Sequence, residues 1–186
     1  PAVLLELGIA ELRSNPPAAI APLEEALAVM DDPDDRAEGT LELSRALAAT
    51  GRIQDAVDAL GRGLEDLRAA PERLARLEAE MIGLSRYLPD RYEFAAARLG
   101  RIRLPLRPAG EPLSTGEAML LANLASQVVR GGDRREEAVA LARQALAGGR
   151  LLAELTSPAY SFAVQALAWA DELEVALEPA RAGGPL

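Results

Sequence analysis

Carboxylates are the side chains in this sequence most capable of chemistry. The run Asp31-Asp32-Pro33-Asp34-Asp35, followed by Glu38, offers enough oxygen ligands to chelate Ca2+. It lacks the central Gly and the distal Glu of an EF-hand loop. The simpler reading is a turn whose acidic residues open the next helix and complement its dipole. Glu pairs of the kind that hydrolyse glycosides have no aromatic sugar platform beside them. The catalytic classes that need other side chains lack them outright. There is no His for a Ser-His-Asp or Cys-His relay, no Cys, and no Lys for a GxxxxGKS/T phosphate loop. Zinc sites built from Cys or His lose their ligands on the same ground. The expectation is no catalytic residue, no metal and no cofactor in this chain, and hence no enzyme.

Two clusters of other types stand out. Arg98, Arg101, Arg103 and Arg107 form a local basic patch in an acidic chain. They suit either an acidic partner or phosphate group, or a solvated helix face running into a loop, which is the plainer reading. Tyr160, Phe162 and Trp169 share one late helix, as a ligand platform or, more simply, as large side chains sealing the end of a helix stack.

The elements that position these residues are helical. The chain is 186 residues long and 49% hydrophobic but only 3% aromatic, with Leu and Ala dominant. That composition suits closely packed helices, whereas sheets favour β-branched and aromatic residues. A chain of this length buries roughly 70% of its unfolded surface and needs no disulfide or metal for a core. The net charge of −9 argues against nucleic-acid binding, which relies on clustered cations. No stretch approaches the roughly 20 apolar residues of a membrane span. A cytoplasmic segment of a longer chain is the expectation, with neither membrane nor direct nucleic-acid contact.

Internal repetition gives the architecture. The stretches Asn15-Pro16-Pro17-Ala18-Ala19-Ile20, Gly51-Arg52-Ile53-Gln54-Asp55-Ala56-Val57 and Gly132-Asp133-Arg134-Arg135-Glu136-Glu137-Ala138-Val139 each read as a turn opening an amphipathic helix. Asp171-Glu172-Leu173-Glu174-Val175-Ala176-Leu177 ends similarly. Ala19, Ala56, Ala138 and Ala176 are separated by 37, 82 and 38 residues, a period near ~40 against about 34 for tetratricopeptide repeats. Leu23, Leu27 and Met30 recur at helical spacing, as do Val57, Leu60, Leu64 and Leu67. Small residues mark the helix crossings: Gly8, Ser44, Ala56, Gly63, Ala125, Ala138 and Ala145. Leu104–Pro112, rich in Pro, is the internal linker. Pro71 opens a third unit, Pro89 interrupts it, and a second helix follows over roughly Asp90–Ile102. The expected fold is all-α: a superhelical stack of about five antiparallel hairpins near 2–30, 34–69, 71–103, 112–148 and 153–182, in a single repeat domain.

Such stacks present a concave face lined by the first helix of each pair. Residues there that the core spacing leaves free are Glu38, Glu42 and Arg45 in the second unit, and Asn123, Ser126 and Arg130 in the fourth. Carboxylate, guanidinium and amide groups together suit a polar small molecule or a peptide, and otherwise a solvated surface.

Leu7-Gly8, Ala56-Val57, Ala145-Leu146 and the turn Gly132-Asp133 resemble the tetratricopeptide signature, with Leu or Ala at its bulky aromatic positions. More specifically, three phrases are similar to the repeat region of large ATP-binding LuxR-type transcriptional regulators of actinobacteria. They are Leu4-Leu5-Glu6-Leu7-Gly8 with Ala10-Glu11-Leu12; Arg73-Leu74 through Leu77-Glu78-Ala79-Glu80; and Arg143-Gln144-Ala145-Leu146-Ala147-Gly148-Gly149-Arg150-Leu151-Leu152. The resemblance implies an ATPase module before residue 1, a DNA-binding helix-turn-helix after residue 186, and intramolecular contact with both. It makes this segment a sensor that binds a small-molecule inducer, a protein or a peptide. The alternative is a stand-alone tetratricopeptide-like docking adaptor.

Overall fold

Proline and its neighbours start most of the helices. Pro16, Pro33, Pro71 and Pro158 each occupy the first turn of a helix, where the missing N–H is not needed and the fixed φ is already helical. Three starts are also capped by side chains. Asp32 accepts from the backbone N–H groups of Asp34 and Asp35 at 2.9 and 3.0 Å, so this part of the acidic run is a helix cap. Ser157 accepts from Ala159 N. Ser114 and Glu117 form a reciprocal capping box. Two turns close through left-handed glycine, Gly51 at φ 82° and Gly132 at φ 81°, the geometry in which an L side chain is strained.

The computed structural model describes residues 1–66, 68–102, 113–172 and 174. Among them every regular element is helical: α1 (Ala2–Ser14), α2 (Pro16–Val29), α3 (Pro33–Ala49), α4 (Ile53–Asp66), α5 (Pro71–Ser85), α6 (Tyr92–Arg101), α7 (Thr115–Gly131), α8 (Arg135–Leu146) and α9 (Pro158–Trp169). Short 3-10 segments cover Pro89–Arg91 and Ala147–Glu154. The all-α expectation holds. The chain divides into two compact units, Pro1–Ala95 and Ala96–Leu186, with α6 running across the boundary.

In the first unit α1 pairs with α2 and α3 with α4, and α2 meets α3 as α4 meets α5. The first helices also touch one another, α1 on α3 and α3 on α5. The core runs through Leu12, Leu23, Leu41, Leu47, Leu60, Leu77 and Met81. Close approach is set by glycine. A Cβ on Gly8 would lie 2.4 Å from Leu23 Cγ, and one on Gly39 would lie 2.9 Å from Leu27 Cδ2. In the second unit α7, α8 and α9 contact one another in every pairing. Its interior is Met119, Leu121, Ala125, Ala138, Leu141, Phe162 and Leu167. All seven small residues named for the crossings are buried.

Local boundaries differ from the sequence reading in two places. The helix expected over Asp90–Ile102 begins as a 3-10 turn and becomes α-helical only at Tyr92. The pair expected from 153 has its first α-helix at Pro158, because Gly148 and Gly149 at φ 76° and 69° stop α8 and a 3-10 segment follows. Residues 103–112, including the Leu104–Pro112 linker, lie outside the described residues, as do Leu67 and most of the Asp171–Leu177 stretch.

Candidate functional site

Glu38, Glu42 and Arg45 recur at i, i+4 and i+7 on α3, so they share one face of that helix. The face meets α5, which carries Arg73, Arg76 and Glu80 at i, i+3 and i+7 with the opposite order of charge. The two stripes pair. Glu38 Oε2 accepts from Arg76 Nη1 at 2.8 Å and also takes a hydrogen bond from Arg73 Nη1. Deeper along the seam, Arg45 Nη1 donates to Glu42 Oε1 at 2.8 Å, and Arg45 Nη2 lies 3.9 Å from Glu80 Oε2. Exposure falls along the same direction. Glu38 and Arg73 are half-buried, whereas the Arg45 and Glu80 side chains keep 4% and 1% of their accessible surface.

Burial decides what this arrangement does. An exposed ion pair contributes about 0–1 kcal/mol. A buried one pays several kcal/mol of desolvation per ion and survives only with good geometry and further hydrogen bonds. Arg45 reaches both sides with its planar fork: it hydrogen-bonds a carboxylate on its own helix and stands at ion-pair distance, 3.9 Å, from one on α5. The inner half of the seam therefore brings opposite charges of α3 and α5 together out of water. The outer half, Glu38 with Arg73 and Arg76, keeps water access and presents two guanidinium groups around one carboxylate.

The other three expected groove residues lie on α7. Asn123 and Ser126 are fully buried, and Asn123 Nδ2 donates back to Met119 O at 3.0 Å. Arg130, in the last turn, is exposed and sits with its guanidinium carbon 5.3 Å from the ring centroid of Trp169. Of the six residues taken from core spacing to be free, four are thus buried: Glu42, Arg45, Asn123 and Ser126. A polar residue on a helix face reads as solvated until the partner face that covers it is known. The structure joins Glu38, Glu42 and Arg45 into one seam, while Asn123, Ser126 and Arg130 belong to the second unit.

Arg73, Arg76 and Glu80 were not among the expected site residues. Their signal was present: Arg73 and Arg76 follow Glu38 by 35 and 38 residues, close to the repeat period. The three aromatic residues form no common platform, since Phe162 is buried, Tyr160 partly so, and Trp169 is 54% exposed beneath Arg130. Of the basic patch, Arg98 and Arg101 lie in the last turn of α6, where cations complement the helix dipole. Arg103 and Arg107 are outside the described residues. Among the described residues no helix is long and apolar enough to cross a membrane. Comparison with known protein families, with curated proteins and with solved structures returned no match for this chain.

Proposed function

We propose that this chain is a tetratricopeptide-like binding scaffold, its hairpins in superhelical order, and that it serves as the ligand- or partner-receiving segment of a LuxR-type transcription regulator. One observation carries the scaffold reading: the first helices of successive hairpins in the first unit meet in sequence order, α1 on α3 and α3 on α5. In stacked hairpins those helices line the inner face, where partners bind. The outer, half-buried end of the α3–α5 seam, with Glu38 between Arg73 and Arg76, gives such a face a guanidinium pair suited to a carboxylate-bearing peptide or small molecule. The regulator reading rests on the three phrases quoted from the sequence, above all Arg143 through Leu152. A ligand acts as a switch there only by binding two arrangements of the helices with different affinity.

The encoding reading frame tests the regulator assignment. A GxxxxGKS/T motif upstream and a basic helix-turn-helix downstream are expected in the same frame. A frame with neither overturns it and leaves the docking adaptor. For the scaffold itself, a thermal-shift screen of acidic peptides and small metabolites is expected to yield a ligand that stabilises the folded chain by mass action. Loss of that stabilisation in Arg73→Ala is the expected signature of the seam, and an unchanged response assigns the ligand elsewhere.

A further inference from the structure

Helix α3 carries a second stripe on its other side. Arg36, Thr40 and Leu43 also recur at i, i+4 and i+7, two residues out of phase with Glu38, Glu42 and Arg45, and so roughly 200° around the helix. They line a half-open cleft of about 190 Å³ together with Leu27 of α2 and with Arg62 and Asp66 of α4. Arg36 is anchored: its Nη1 donates to the carbonyls of Leu27 and Met30 at 3.3 and 3.0 Å, satisfying the end of α2 and holding the guanidinium at the wall. Arg62 and Asp66 are exposed, one turn apart, and neither makes an ion pair among the described residues.

The wall thus holds two guanidinium groups, one carboxylate, one hydroxyl and two leucine side chains. A simple anion entering it meets Asp66, and a simple cation meets Arg36 and Arg62. A molecule carrying both charges answers both. The volume sets its size, being below the roughly 300–1,000 Å³ of pockets for drug-sized ligands and equal to about six waters at about 30 Å³ each. We propose that this cleft binds a free aliphatic α-amino acid. Its carboxylate lies between Arg36 and Arg62, its ammonium meets Asp66, and its side chain rests on Leu27 and Leu43. The site lies on the side of α3 away from α5 and depends neither on the seam nor on any flanking module.

Isothermal titration of the 186-residue chain with L-leucine, L-isoleucine and L-valine tests this. At least one is expected to give saturable binding. Isocaproate and isoamylamine, which are leucine without its ammonium and without its carboxylate, are each expected to bind about tenfold more weakly or worse, as are Arg62→Ala and Asp66→Asn with leucine. The proposal is overturned if none of the three amino acids binds at about 10 mM. It is equally overturned if isocaproate matches leucine, or if both variants keep full affinity while melting like the parent chain. Should either variant fail to fold, the analogue series on the unaltered chain decides.

Discussion

Arg45 Nη2 stands 3.9 Å from Glu80 Oε2 on the neighbouring helix, while Arg45 Nη1 holds Glu42 Oε1 at 2.8 Å. One guanidinium therefore serves two carboxylates in a nearly dry seam. Removing it leaves both acids buried without that charge. Arg45→Ala is expected to cost about 3–5 kcal/mol, a large share of the roughly 5–15 kcal/mol that holds a domain folded. Arg45→Lys is expected to recover only part, because a point charge cannot bridge as a fork does. Urea unfolding followed by circular dichroism gives both values. A loss below about 1 kcal/mol for the alanine variant would place the pair in the class of solvated surface bridges.

The α1–α2 contact predicts a steric penalty. A Cβ at Gly8 would fall 2.4 Å from Leu23 Cγ, closer than any tolerated contact, so Leu23 or the helix must shift. Gly8→Ala is expected to destabilise by about 1–3 kcal/mol, despite the better helix propensity of alanine. In a double-mutant cycle with Leu23→Ala the two losses are expected to be less than additive, because the smaller side chain vacates the space. Simple additivity would mean that Gly8 and Leu23 do not clash.

Helix α7 depends on its cap. Ser114 Oγ accepts from Glu117 N at 3.2 Å, and Glu117 Oε2 accepts from Ser114 N at 2.8 Å. Ser114→Ala is expected to cost about 1 kcal/mol. Amide hydrogen exchange should show faster opening in the first turn of α7, with the first turn of α3, capped by Asp32, unaffected. Equal acceleration at both helices would contradict a local capping role.

Trp169 is the single tryptophan of the chain, and Arg130 lies 5.3 Å from its ring centroid. Its fluorescence therefore reports on the end of α7 and α9. Arg130→Ala is expected to shift the indole emission and to lower stability by about 0.5–1 kcal/mol, with Arg130→Lys intermediate. An emission spectrum identical to that of the parent would show that the cation does not rest on the ring in solution.

The turns and crossings were legible because their causes are local. Gly51, Gly132 and the Gly148-Gly149 pair announce left-handed turns, Pro71 announces a helix start, and Gly8 and Ala56 announce close contact, each from its own covalent structure. Asp32 was legible as part of an acidic helix opening for the same reason. Glu42 and Arg45 were not. Their spacing placed them correctly on one face of α3, yet a stripe of charge looks alike whether water or Arg76 and Glu80 stands opposite. The α2–α3–α4 cleft was likewise out of reach, since Leu27, Arg36 and Arg62 come from three different helices and nothing in their spacing links them.

By itself the sequence determined the helical character of the chain, the Pro and Gly positions at which several helices start or stop, and the absence of His, Cys and Lys chemistry. Those follow from backbone preference and side-chain inventory, which each residue carries with it. Only the tertiary structure decided that α5 covers the charged face of α3, that Asn123 and Ser126 sit out of water, and that Arg130 finds Trp169. Burial and pairing belong to two surfaces at once, so neither helix alone can specify them.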